Sequence, residues 1–189
     1  MMKRNSFTLI EILGVVAIIA ILATLGFAGY SYANTKSRES ATQGLIARLN
    51  AAFEMAREKS GFVPPSGGAY AKIEIDRDGK TIRINNVTYE PKANAVRTQK
   101  MYSEFYRNFV KTIEMDKMGR FINDNNEVVD AWGNPVYFRN PGILKTGGFD
   151  IISAGADGGF GSDAASTPSA DIGKYRDSGE WICDDIANF

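Results

Sequence analysis

Twenty-four consecutive residues, Ile12 to Thr35, carry no formal charge, and the residue immediately before them is an acid, Glu11. Such a run meets the roughly 20 apolar residues that a helix needs to cross a bilayer. Lys3 and Arg4 precede it and Lys36 follows it, so the positive-inside tendency places the leader in the cytoplasm and everything after Lys36 on the outer side. A charge at the bilayer centre costs on the order of 2.5 to 3.5 kcal/mol, which makes Glu11 a candidate functional residue in need of a partner. A cleaved secretory signal, with Ala28 to Ala33 as the small-residue zone, is the competing reading. Glu11 argues against it by spoiling the apolar region, and the helical pattern continues beyond.

From Lys36 to Lys59 the apolar residues Ala41, Leu45, Leu49, Ala52 and Ala56 recur every three or four positions, with Ile46 and Phe53 on the same side. That spacing predicts an amphipathic helix whose stripe holds a globular domain. Ser60-Gly61 and then Pro64-Pro65-Ser66-Gly67-Gly68 supply the stop. A helix from Phe7 to Ser60 would be roughly 80 Å long at 1.5 Å per residue.

Composition narrows the chemistry. The 189 residues include no histidine and a single cysteine, Cys183. No intrachain disulfide can form, Ser-His and Cys-His pairings are excluded, and a metal would have to be held by oxygen ligands, with the one thiol the only exception. Formal charge sums to zero but is unevenly spread: from Phe121 onward there are 11 acidic residues against 4 basic ones. An acidic terminal region points to cations, and no nucleic acid is expected as a partner.

Ile73, Ile75, Ile82 and Ile84 alternate with polar residues around Arg77-Asp78-Gly79-Lys80, which predicts a β-hairpin over Ala71 to Val87. Met101, Phe105, Phe109 and Ile113, flanked by Tyr102, Tyr106 and Val110, predict a second helix covering it. Its aromatic stripe is expected to be core.

Lys3-Arg4, Ser6, the run Phe7-Thr8-Leu9-Ile10-Glu11 and the following Val15 to Ala23 resemble the class III signal of type IV pilins and type II secretion pseudopilins. The resemblance implies cleavage by prepilin peptidase between Ser6 and Phe7, methylation of the new Phe7 amine, and assembly of the chain into a homopolymer through the amino-terminal helices. Glu11 would then neutralise the Phe7 ammonium of a neighbouring subunit. Two residues depart from the family pattern: Ser6 stands where Gly is usual, and Ala28 where Pro is common. Asp130 to Phe138, with its Trp132-Gly133-Asn134-Pro135 turn, and Asn140-Pro141-Gly142 resemble the head of the major pseudopilin of type II secretion. A binding role for Trp132 competes with structural anchoring, the expected one.

Phe149 to Asp163 resembles the calcium loop of the same family. Calcium takes six to eight oxygen ligands at about 2.3 to 2.6 Å, and Asp157, Asp163 and Ser153 are candidate donors. A further ligand is expected near the carboxyl end. Asp185 is favoured there, Asp171 and Asp184 compete, and residues 164–183 read as an extension inside the loop. A solvated Gly/Ser/Asp loop without metal is the alternative. Cys183 is read as a buried or incidental thiol.

The expected fold is α+β, with one long amino-terminal helix carrying a small head of antiparallel sheet and a calcium loop. Its parts would be a leader (1–6), a transmembrane and filament-core segment (7–35), an amphipathic continuation (36–61) and a head (62–189) with an acidic loop (153–185). The expected function is that of a non-enzymatic major pseudopilin, held in the inner membrane with its head in the periplasm and polymerised into a pseudopilus. Implied partners are further copies, minor pseudopilins, prepilin peptidase, and an inner-membrane assembly platform with its ATPase. A surface pilus or DNA-uptake subunit is the alternative. A tethered binding module or hydrolase, with Asp76/Asp78 or Asp184/Asp185 as its chemistry, is more remote.

Overall fold

A computed structural model describes residues 9–91, 97–160, 168, 176–177, 180–181 and 186–188. The chain forms two compact units, Met1–Ser37 and Arg38–Phe189. Helix α1, Leu9–Ser60, runs without a break through Gly26 and Gly29. Among the described residues of the first unit the large apolar side chains are exposed, from Leu9 at 82% to Tyr32 at 69%. The apolar run covers every side of the helix, so no single face could bury it.

In the second unit the stripe read from the sequence is the buried face. Leu45, Ile46, Leu49, Ala52, Phe53 and Ala56 are each 2% exposed or less, and Ala41 packs at the edge of the same core. The helix ends where expected: Gly61, at φ 65°, donates its N–H to the Arg57 carbonyl at 2.8 Å, and the Ser60 hydroxyl donates to the Ala56 carbonyl at 2.6 Å. A left-handed cap of this kind suits glycine, which has no Cβ to clash.

The predicted hairpin consists of β1, Ala71–Ile75, and β2, Ile82–Ile84, with Ile73 opposite Ile84 and Ile75 opposite Ile82. All four isoleucines are fully buried. A third strand, β3, Val87–Tyr89, follows through a two-residue turn, Asn85-Asn86, both at positive φ. Asparagine tolerates that conformation, and a turn of this hand matches strand twist. Helix α2, Arg97–Ile113, starts four residues earlier than the aromatic periodicity alone indicates.

Strands β4, Val136–Arg139, and β5, Asp150–Ser153, extend the sheet, and β8, Ile186–Ala187, closes its far edge. The six-stranded order is β3-β2-β1-β4-β5-β8, with neighbouring strands antiparallel. Strands β6, Arg176–Asp177, and β7, Glu180–Trp181, form a separate two-stranded pair. The architecture is therefore α+β, as expected.

Phe53 lies at the centre of the head. Its ring is 4.5 Å from that of Phe138, 4.8 Å from Phe109, 5.4 Å from Phe149 and 6.0 Å from Phe105. One side chain of α1 thus binds α2 and the sheet together, and the aromatic stripe of α2 is core. A smaller cluster of Tyr137, Ile152, Ala154 and Phe160 packs separately, with the Tyr137 and Phe160 rings edge to face at 5.5 Å.

Candidate functional site

The amino-terminal site is an apolar helical surface with one acid. Leu9, Ile12, Leu13 and Val16 form an exposed apolar face around Glu11. The helix is long and apolar enough to cross a membrane. Tyr30 and Tyr32 lie near the carboxyl-terminal end of the apolar run, where aromatic residues favour a membrane interface. Nineteen residues separate Glu11 from Tyr30, about 28 Å of helix, close to the full hydrocarbon thickness of about 30 Å. A helix inserted with its tyrosines in one interface holds Glu11 near the other, rather than at the bilayer centre where the sequence reading costs it. Ser6 and Phe7, the expected cleavage pair, lie outside the described residues.

The head carries two buried carboxylates that sequence reasoning missed. Asp130 is 2% exposed and organises the Trp132-Gly133-Asn134 turn: its Oδ1 accepts the N–H groups of Trp132 at 2.8 Å and Asn134 at 2.9 Å. Its Oδ2 accepts the Ser153 hydroxyl at 2.7 Å. The same turn is fastened to α1, because the Ala131 N–H reaches the buried Thr42 hydroxyl at 3.1 Å. The anchor of the motif is thus Asp130, and Trp132 is only half-buried. The sequence signal was an Asp immediately before a turn, an arrangement in which the side chain bonds its own backbone two residues on.

Asp150 is fully buried and receives four hydrogen bonds. Oδ2 accepts from the Ile143 N–H at 2.7 Å, the Leu144 N–H at 3.0 Å and the Tyr70 hydroxyl at 3.1 Å; Oδ1 accepts from the Lys145 N–H at 2.9 Å. Burial, followed by the charge of Asp150, pushes the Tyr70 hydroxyl well above its ordinary value, so Tyr70 stays a donor. Gly142 lies so close that a Cβ there would stand 2.6 Å from Asp150 Oδ1.

Of the expected calcium ligands, Asp157 and Ser153 are described. Asp157 is exposed on the turn after β5, and its Oδ1 accepts the Gly159 N–H at 2.8 Å. The Ser153 hydroxyl is engaged with Asp130 and also accepts the Gly155 N–H at 3.2 Å. Asn134 supports the same turn by donating to the Gly155 carbonyl at 2.9 Å. Asp163, Asp171, Asp184, Asp185 and Cys183 lie outside the described residues. Among the described residues no group of three or more acidic, His or Cys side chains gathers into a metal cluster. The chain returns to this corner, however: Ile186 stands opposite Ser153, and Asn188 bonds the backbone of Ile151 and Phe149 and the Asn50 side chain of α1.

Asp76 and Asp78 share the turn between β1 and β2, where Asp78 is exposed and ion-paired to Lys80 at 2.7 Å.

Two family models match. Residues 1–27 match the prokaryotic N-terminal methylation motif, and residues 110–175 match type II secretion system protein G. No curated protein and no solved structure matches the chain.

Proposed function

We propose that this chain, a type IV pilin-like pseudopilin of the type II secretion system, is the main repeating subunit of a periplasmic filament that pushes folded proteins outward. The membrane-anchoring helix and soluble head, and assembly with other secretion components, follow from the family and from α1. The carrying observation is the presence of both matches in one chain, at the apolar helix and at the head.

On this reading prepilin peptidase cuts between Ser6 and Phe7, and the new Phe7 amine is methylated. Glu11 then faces that ammonium on a neighbouring subunit, where removal from water strengthens the attraction. Exposed residues from Leu9 to Leu22 exchange lipid for one another. The subunit works mechanically and needs no catalytic residue. Its energy comes from a separate ATPase acting through an inner-membrane platform, and minor pseudopilins complete the filament. Intact-mass measurement tests this: the membrane form should begin at a methylated Phe7, and a form that still begins at Met1 in a peptidase-competent cell overturns it.

Calcium belongs to the same reading, held by Asp157, Asp163 and Asp185 with backbone carbonyls. An all-oxygen donor set suits this hard cation, and Asp157 is exposed on its turn. The pairing of Ile186 with Ser153 favours its neighbour Asp185 over Asp171. The Ser153 hydroxyl stays with Asp130. Calcium should raise the melting temperature, by about 2.7 kcal/mol in stability at a hundredfold excess over Kd. Asp157→Ala should abolish the response; indifference of the native chain to calcium and chelator removes the ion from the proposal.

A further inference from the structure

The turn that joins β2 to β3 carries a pattern that the fold itself does not need. Asn86, Val87 and Thr88 form the one Asn-X-Ser/Thr triplet in the chain. Asn86 and Thr88 are exposed, while the flanking Ile84 and Tyr89 are fully buried. Among the described residues neither exposed side chain takes part in a hydrogen bond. Asn85 is placed differently: its amide lies against Gly67, where an added Cβ would stand 2.8 Å from Nδ2. Both turn residues have positive φ, 49° at Asn85 and 61° at Asn86. Two-residue turns of this hand favour Asn at the first place and Gly at the second. Turn chemistry therefore accounts for Asn85 better than for Asn86, whose Cβ brings a strain that Gly avoids.

Strand β3 is also an edge of the six-stranded sheet. Across the two-residue turn Val87 and Tyr89 make the close backbone pairs with Ile84 and Ile82, so the N–H and C=O of Thr88 point away from β2. Outward backbone groups on an edge are a template for another chain, and proteins blunt such edges. Asn-X-Thr on an exposed turn is the acceptor pattern for a saccharide in an exported domain. We propose that Asn86 is a saccharide attachment site, filled from a polyprenyl-diphosphate-linked sugar on the outer side of the membrane. This rests on the pseudopilin reading above, which carries the head across. In the transfer, Asn86 Nδ2 attacks the anomeric carbon of the sugar and the bond from that carbon to the diphosphate oxygen breaks. Polyprenyl diphosphate leaves, and the amide gives up one proton to a base of the transferase. Thr88 supplies the hydroxyl that the pattern requires two residues on. A bulky, hydrated group at this turn shields the free edge of β3 in a chain whose heads stand close together in a filament.

The test is the mass of the tryptic fragment 84–92 from the full-length chain, purified from the membranes of its own cells. The fragment should be heavier than its sequence by whole sugar residues, and fragmentation should place the increment on residue 86. Asn86→Gly suits the turn, and Thr88→Val keeps a β-branched residue on the strand; each should abolish the increment, whereas Thr88→Ser should keep it. A native fragment found solely at its sequence mass overturns the proposal. So does an increment that survives Asn86→Gly, which would assign the sugar to the Thr88 hydroxyl. Failure of the pseudopilin reading looks different, because the chain would then still begin at Met1 whatever the mass of this fragment.

Discussion

One helix meets two fates. Between Leu9 and Tyr32 the described large apolar side chains of α1 are exposed, whereas between Leu45 and Ala56 six residues are almost wholly excluded from water. Hydrophobicity alone does not separate the two parts, since the first is the more apolar. Pattern does. A stripe can be covered by one sheet and one helix, and the head supplies both. An apolar surface on all sides needs lipid or several neighbours, which one small head cannot provide. The first part is therefore built for other molecules and the second for its own chain.

The largest expected effect lies in the first part. Glu11→Ala should leave membrane insertion intact, because it only lengthens the apolar run, and should abolish filament assembly, read by cross-linking of neighbouring subunits in isolated membranes. Filament at native yield would break the comparison at its functional end.

Paired truncations sharpen it next. Leu49→Ala removes a fully buried side chain and should cost about 2 to 5 kcal/mol of head stability, measured by denaturant unfolding of the detergent-solubilised chain. Leu22→Ala, in the exposed part, should change the same quantity by no more than about 0.5 kcal/mol. Equal effects would mean that the two parts share one cooperative unit.

Within the head, Asp150→Ala strands three backbone N–H groups and the Tyr70 hydroxyl. The expected loss is on the order of 3 kcal/mol, read from the same unfolding curves. A smaller loss would show that water replaces the carboxylate.

The smallest effect is electrostatic. The Lys72 hydrogen bond, and then that of Asn123, hold Glu127 below its ordinary value of 4.5. An acid with a lowered folded value stabilises fully above its unfolded value and loses that contribution as pH falls through the folded one. Head stability should therefore carry a Glu127 contribution above pH 4.5 that fades below it. Lys72 is 40% exposed, so solvent limits this to at most about 1 kcal/mol. Glu127→Gln should remove it, leaving a flatter profile.

Much of this architecture was legible in the chain. The stripe on α1, the isoleucine hairpin and the aromatic face of α2 are periodic, and periodicity survives translation into structure because each element must bury one face. The amino-terminal methylation motif was legible as a motif, and residues 1–27 match that family model. Asp130 and Asp150 were not, because their value comes from partners distant in sequence: Ser153 for one and Tyr70 for the other. Nor was β3, whose Asn85-Asn86 turn is a weaker signal than Asp-Gly.

The sequence by itself determined that this chain has a membrane-length apolar helix, an acid at its start and an amphipathic continuation that carries a head, since run length, charge and period are local properties. Tertiary structure decided what closes the head. A carboxyl-terminal asparagine reaches back to α1 and β5, and two buried carboxylates take partners remote in the chain, Ser153 and Tyr70. It also decided that Lys72 and Arg83 are paired, with Glu127 and Glu74, because only packing brings those side chains together.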